Sequence, residues 1–186
     1  DIDRNERNII VSHQFYLPKG RSADEIERMD SEVRTVGNID EVSADVLEPF
    51  DYAALGHIHK PMSAGNDNFR YCGTPVACSV SEAGQEKGII VAEIGRKNAD
   101  GVTDIKTSVL PLIPLRRIKV IKGEFTDVLA QSCDDFVSVR LTDKKDIDIM
   151  DMHDRLRSAF PYLLEIQREN IRTFDSSVEI DDETVN

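Results

Sequence analysis

FDYAALGHIH, residues Phe50–His59, is the stretch from which the fold is read. Phe50–Leu55 is a short apolar run of strand length, and it reads as a buried strand. It runs straight into Gly56, His57, Ile58 and His59. In a layered α/β sheet, strand ends are where ligand-binding side chains converge. If the backbone stays extended past Leu55, His57 and His59 project to the same side and reach a common cluster. Gly56 has no side chain, so a metal ion or a phosphate can approach the backbone there. Asn8–Ser12 (NIIVS) repeats the arrangement upstream, as a second buried strand that ends at His13. Neutral imidazole suits Mn, Fe, Zn and Ni. A strand-end histidine taken alone is more often a surface or hydrogen-bonded residue, and for the His57–His59 pair alone the two readings are evenly balanced.

The rest of the chain builds outward from these strands. Phe15–Arg21, with Pro18 and Gly20, reads as a loop. Ala23–Arg34 places Ile26, Met29 and Val33 at helical spacing, which predicts a surface helix with one thin apolar stripe, or a mobile segment. Ser43 is placed to cap a short helix over Ala44–Leu47, stopped by Pro49. Phe69–Cys72 is a short strand. Gly88–Ile94 is a strong strand, and a Gly/Asn/Asp turn at Gly95–Gly101 leads into Thr103–Leu112 as the other arm of a hairpin. Pro111 and Pro114 bracket a linker. Beyond it come a strand (Arg116–Ile121), a short helix (Thr126–Gln131), a strand (Phe136–Leu141), a helix (Asp148–Phe160) and a strand (Tyr162–Gln167). That order predicts a small α/β module with helices on one sheet face. Asp175–Asn186 reads as a solvated, frayed end.

Composition narrows the function classes. The chain has 186 residues and a net charge of −12, which argues against holding nucleic acid by bulk electrostatics. The charge is uneven. Leu115–Phe174 carries 11 basic and 11 acidic residues, whereas the last twelve residues carry five acids and no base. An acidic surface still acts on phosphates where metal ions supply the local positive charge. No apolar run approaches the roughly 18–20 residues that span a bilayer. There is no basic-then-apolar leader. Cys72, Cys78 and Cys133 are odd in number and form no CxxC pair, which fits a reducing cytoplasm. The first residue is Asp1, and the chain reads as a fragment of a longer protein. His153, mid-helix beside Asp151 and Asp154, reads as a solvated helix-face residue. Arg116, Arg117, Lys119 and Lys122 form a basic run that fits either a phosphate-contacting strip or a solvated edge strand.

Four segments together carry a resemblance: Asp51–Pro61 (DYAALGHIHKP), Tyr71–Pro75 (YCGTP), Ser79–Gly88 (SVSEAGQEKG) and Pro114–Ile118 (PLRRI). With them the chain, from about Asn8 to about Asn170, resembles the bacterial SbcD family of nuclease subunits, within the calcineurin-like metallophosphoesterases. GHxH is shared across that superfamily, whereas SEAGQEKG and PLRRI point to SbcD. The resemblance implies an α/β fold. Residues 1–114 would be the second half of a metallophosphoesterase β-sandwich with flanking helices, 115–174 a small β-α-β-α-β cap that contacts DNA, and 175–186 an acidic tail.

It also implies a two-metal centre, usually Mn²⁺, that hydrolyses DNA phosphodiesters in double-strand-break repair. His13 would be that family's single histidine, and His57 and His59 its GHxH. His13 and His57 would go to one ion and His59 to the other. The earlier family motifs, of types DxH, GDxxD and GNHD, are absent from these residues. The expectation is therefore that the chain alone contains no catalytic residue, binds metal weakly or not at all, and brings its three imidazoles near one another. An SbcC-type ATPase, DNA and a second parent chain are the implied partners, with no membrane. Two other readings stay open: a metallophosphoesterase acting on small phosphoesters or phosphoproteins, and a non-catalytic DNA-binding or scaffold module.

Overall fold

The computed structural model describes residues 2–32, 41–143 and 149–169. The expected acidic tail, the end of the Ala23–Arg34 segment and the first residue of the expected Asp148–Phe160 helix lie outside the described residues. The chain is a mixed α/β protein with mostly strands and few helices.

Strands β1 (Ile9–His13), β2 (Tyr16–Leu17), β3 (Val42–Ser43), β4 (Tyr52–Gly56), β5 (Met62–Ser63) and β6 (Phe69–Tyr71) come first. One sheet has the order β1-β4-β6-β5, parallel except for the β5–β6 pair. β2 and β3 form a separate parallel pair. The apolar run of β4 takes a central place because its alternate residues Ala53 and Leu55 are buried on one face. Phe69 and Tyr71 of β6 share that face, and Phe15, Ile26, Leu47 and Ile58 close over it. Ser43 accepts a hydrogen bond from the backbone N–H of Asp45 and caps the expected short helix over Ala44–Leu47, which is a single 3₁₀ turn.

β1 and the Ala23–Arg34 segment differ from what their sequences predict. β1 is an edge strand with Ile9, Val11 and His13 exposed, and Val11 retains 82% of its surface. Its apolar residues do not make it a buried strand, because nothing among the described residues covers that face. Ala23–Arg34 is not a helix over its described part. Only Ala23–Glu25 forms a 3₁₀ turn. Ile26 and Met29 are buried, so the apolar spacing reports burial of an irregular segment.

β7 (Lys87–Lys97) and β8 (Thr103–Leu112) form the expected antiparallel hairpin. An open groove of about 550 Å³ runs between Val11, Ala54, Arg70 and Cys72 of the first sheet and Ile90 and Ala92 of β7. A second core follows. β9 (Ile118–Gly123), β10 (Phe136–Leu141) and β11 (Leu163–Arg168) make a parallel sheet in the order β11-β10-β9. Val137, Val139 and Leu141 of β10 pack with Phe125 and Val128 of α1 (Phe125–Leu129), Met152 and Leu156 of α2 (Ile149–Ala159), and Phe160 just beyond it. Among the described residues no helix is long and apolar enough to cross a membrane.

Candidate metal centre

Parallel pairing of β1 with β4 sets His13 opposite Gly56. A Cβ at Gly56 would lie 2.8 Å from His13 Nδ1, so glycine is what lets the His13 ring fold over this strand end. The ring meets His57 edge-on, with centroids 5.6 Å apart and planes at 79°.

The expected extended run through His57 does not occur. His57 has φ 103°, the only positive φ of a non-glycine residue among the described ones. A bulky side chain rarely adopts that backbone, and it costs on the order of 1–3 kcal/mol. The twist buries Ile58 in the core and separates the surroundings of the two histidines. His57, 6% exposed, lies 6.5 Å from the Phe15 ring between centroids. The Arg28 guanidinium approaches its Nε2 to 2.9 Å and also covers Phe15 at 5.0 Å. Guanidinium is a donor only, so Nε2 of His57 accepts. Burial, then the charges of Arg28 and His13, push the His57 pKa below its ordinary value.

His59 is held by other groups. Its Nδ1 is 2.7 Å from Ser31 Oγ and 3.3 Å from Glu82 Oε1. Its backbone N–H donates to Glu32 Oε1 at 2.8 Å, and Glu32 in turn accepts from Arg28 Nε at 3.0 Å. Beneath it lies a buried ion pair, Lys87 Nζ to Glu82 Oε2 at 2.6 Å. Burial pushes the Glu82 carboxyl up, but hydrogen bonds from Lys87, Ser31, Thr74 and His59 more than reverse this and hold it at about 2.

The structure thus brings His13 and His57 together and ties His59 into a neighbouring hydrogen-bonded network. The residues that sequence reasoning missed are Arg28, Ser31, Glu32, Glu82 and Lys87. Glu82 and Lys87 lie in the SVSEAGQEKG stretch, but a Glu and a Lys flanking Gly84 look like an ordinary solvated turn. His153 is exposed on α2, as expected. In the basic run, Lys119 is paired with Asp135 and Lys122 with Glu169, both at 2.7 Å, and Arg116 covers Tyr162 at 4.0 Å.

Imidazole nitrogen is suitable donor chemistry for a borderline divalent ion. The count falls short of two ions. Among the described residues no three His, Cys, Asp or Glu side chains are grouped to hold a metal, so these residues do not by themselves fit a two-ion centre. A scan of the chain against protein-family models finds no match.

Proposed function

We propose that this chain is the histidine-bearing part of an SbcD-type, metal-dependent DNA nuclease subunit. In this reading residues 1–114 belong to the phosphoesterase domain and 115–174 form a DNA-contacting cap. The observation that carries the proposal is the convergence of His13 and His57 from two parallel strand ends, with His59 two residues on. The layering of a parallel sheet against a long hairpin supports a sandwich.

His13, His57 and His59 contribute imidazoles, and residues outside this chain supply the carboxylates that balance two dications. Such ions, Mn²⁺ in this reading, provide the positive charge that an acidic chain lacks toward a phosphodiester. DNA, an SbcC-type ATPase and a second parent chain are the partners, and all three rest on the resemblance.

The test joins this chain to a preceding segment bearing DxH, GDxxD and GNHD and assays it with Mn²⁺ on DNA ends and on a small chromogenic phosphoester. Cleavage of DNA that is lost in His57→Ala and in His59→Ala supports the proposal. Activity on the small ester alone overturns the nuclease assignment in favour of a general phosphoesterase.

A further inference from the structure

We infer that Ser31 and Glu82 form a hydrogen-bonded relay that holds His59 as its Nδ1–H tautomer and leaves Nε2 as its lone-pair nitrogen. Both are positioning residues for that ring. The functional meaning of the relay rests on the proposed role of His59, whereas the proton on Nδ1 follows from donor and acceptor chemistry, and the tautomer is that of the neutral ring.

The Glu82 carboxylate is fully buried and accepts from four donors, with His59 Nδ1 beside them. Lys87 Nζ (2.6 Å) and Thr74 Oγ1 (2.9 Å) meet Oε2. Ser31 Oγ (2.7 Å), Ser79 Oγ (3.1 Å) and His59 Nδ1 (3.3 Å) meet Oε1. An ionised carboxylate only accepts, so the single hydroxyl proton of Ser31 is committed to it. The 2.7 Å contact between Ser31 Oγ and His59 Nδ1 is then satisfied only if the ring nitrogen donates. With Nδ1 unprotonated, Ser31 could give its proton to only one neighbour. The ring lone pair would also face the carboxylate oxygen at 3.3 Å. Free histidine in water favours the opposite, Nε2–H, form, so the network inverts an intrinsic preference.

The same ion pair holds the backbone of His59. Lys87 Nζ donates to the His59 carbonyl at 3.0 Å, and the Thr74 N–H approaches it at 3.3 Å. Gly73, with φ 79°, passes so close that a Cβ there would lie 2.8 Å from that carbonyl oxygen. With N–H, C=O and Nδ1 all engaged, the direction of Nε2 is set by buried groups. An imidazole that donates its other nitrogen to a fixed acceptor is the usual means of orienting a ligand histidine.

The experiment records the ring ¹⁵N shifts of the histidines in the labelled chain near neutral pH, where they separate protonated from lone-pair nitrogens. Wild type is expected to show His59 protonated at Nδ1. Ser31→Ala should lower its Nδ1–H to Nε2–H ratio roughly tenfold, the effect of losing one hydrogen bond in a charge-assisted chain. Ser31→Thr, which keeps the hydroxyl, should restore it. Ser31 is only partly buried, so the test does not depend on a variant of Glu82 folding. An Nε2–H tautomer in wild type, or a ratio unmoved in Ser31→Ala, overturns the relay. Adding Mn²⁺ reads the ligand role separately. Absence of paramagnetic broadening at His59 in the chain joined to a segment bearing DxH, GDxxD and GNHD counts against the ligand role and leaves the tautomer assignment standing.

Discussion

Replacing Lys87 with methionine tests the energetic centre of the site. Met keeps most of the aliphatic stem and removes the cation that meets Glu82 at 2.6 Å. In the folded chain Glu82 has a pKa of about 2 against an ordinary 4.5, a difference worth about 3 kcal/mol. The sign follows from the depressed value. That stabilisation is fully present above 4.5 and is lost as pH falls through about 2. Without Lys87 the carboxylate stays buried with its hydroxyl partners but without its counter-charge. Breaking a buried pair from one side costs about 3–5 kcal/mol. Lys87→Met is therefore expected to lose about 3–4 kcal/mol near neutral pH, measured by urea unfolding followed by circular dichroism. Burial then drives the Glu82 pKa upward, so the gap to wild type should narrow as the solution is acidified. Adding Glu82→Gln to Lys87→Met should recover at least half of the loss, because a neutral amide still satisfies the hydroxyls. A Lys87→Met variant within about 1 kcal/mol of wild type, or a gap that ignores pH, would refute the reasoning.

Three further predictions concern the same half of the chain. Gly56→Ala puts a Cβ 2.8 Å from His13 Nδ1, so the ring must swing away and the His13–His57 ring cross-peaks in NMR should vanish; persistence of those peaks contradicts the geometry. Asp51 accepts from Asn8 N–H (2.8 Å) and Thr103 Oγ1 (2.7 Å) and pairs with Lys97 (3.2 Å). Burial opposes ionisation there, but those groups win and its pKa is lowered below 3.8. Asp51→Asn should cost about 1–2 kcal/mol at neutral pH. That cost should fade below pH 3.8, as wild type loses the same stabilisation, and a loss that is unchanged at acid pH in chemical denaturation would be inconsistent. Val11, 82% exposed on an edge strand, should drive self-association, so Val11→Lys is expected to lower light scattering at high concentration.

The longer strands were legible because their apolar runs have strand length and alternation, whereas the two-residue strands β2, β3 and β5 lie in stretches that carry no such pattern. β8 and β10 match their sequence readings residue for residue, Thr103–Leu112 and Phe136–Leu141. Convergence of His13 and His57 was legible for the same reason, since both close apolar strands. What was not legible depends on contacts between distant segments. Ile26 and Met29 carry helical spacing, yet they are buried where Arg28, Ser31 and Glu32 reach back to His57, His59 and Glu82. Tertiary hydrogen bonds there outweigh a weak helical pattern. The positive φ of His57 has no local signal at all, because nothing in GHIH calls for a left-handed backbone.

These departures fall in one place, which bears on what the region does. A non-glycine residue at φ 103°, a glycine pressed against a histidine ring and a carboxylate–ammonium pair sealed beneath the chain all lie at or next to the end of β4. The positive φ costs free energy taken singly, and a buried ion pair gains little over a well-packed apolar filling. Sequences break local rules where a side chain must be held in a fixed direction, and the surrounding structure offsets the cost. A purely structural strand end would be served by an extended backbone and an apolar filler in place of Glu82 and Lys87. The arrangement instead spends buried hydrogen bonds on one imidazole nitrogen of His59 and a guanidinium on one of His57. That allocation fixes the His59 ring through Nδ1 and fills the Nε2 lone pair of His57, so a ligand reaches that nitrogen of His57 only where Arg28 gives way.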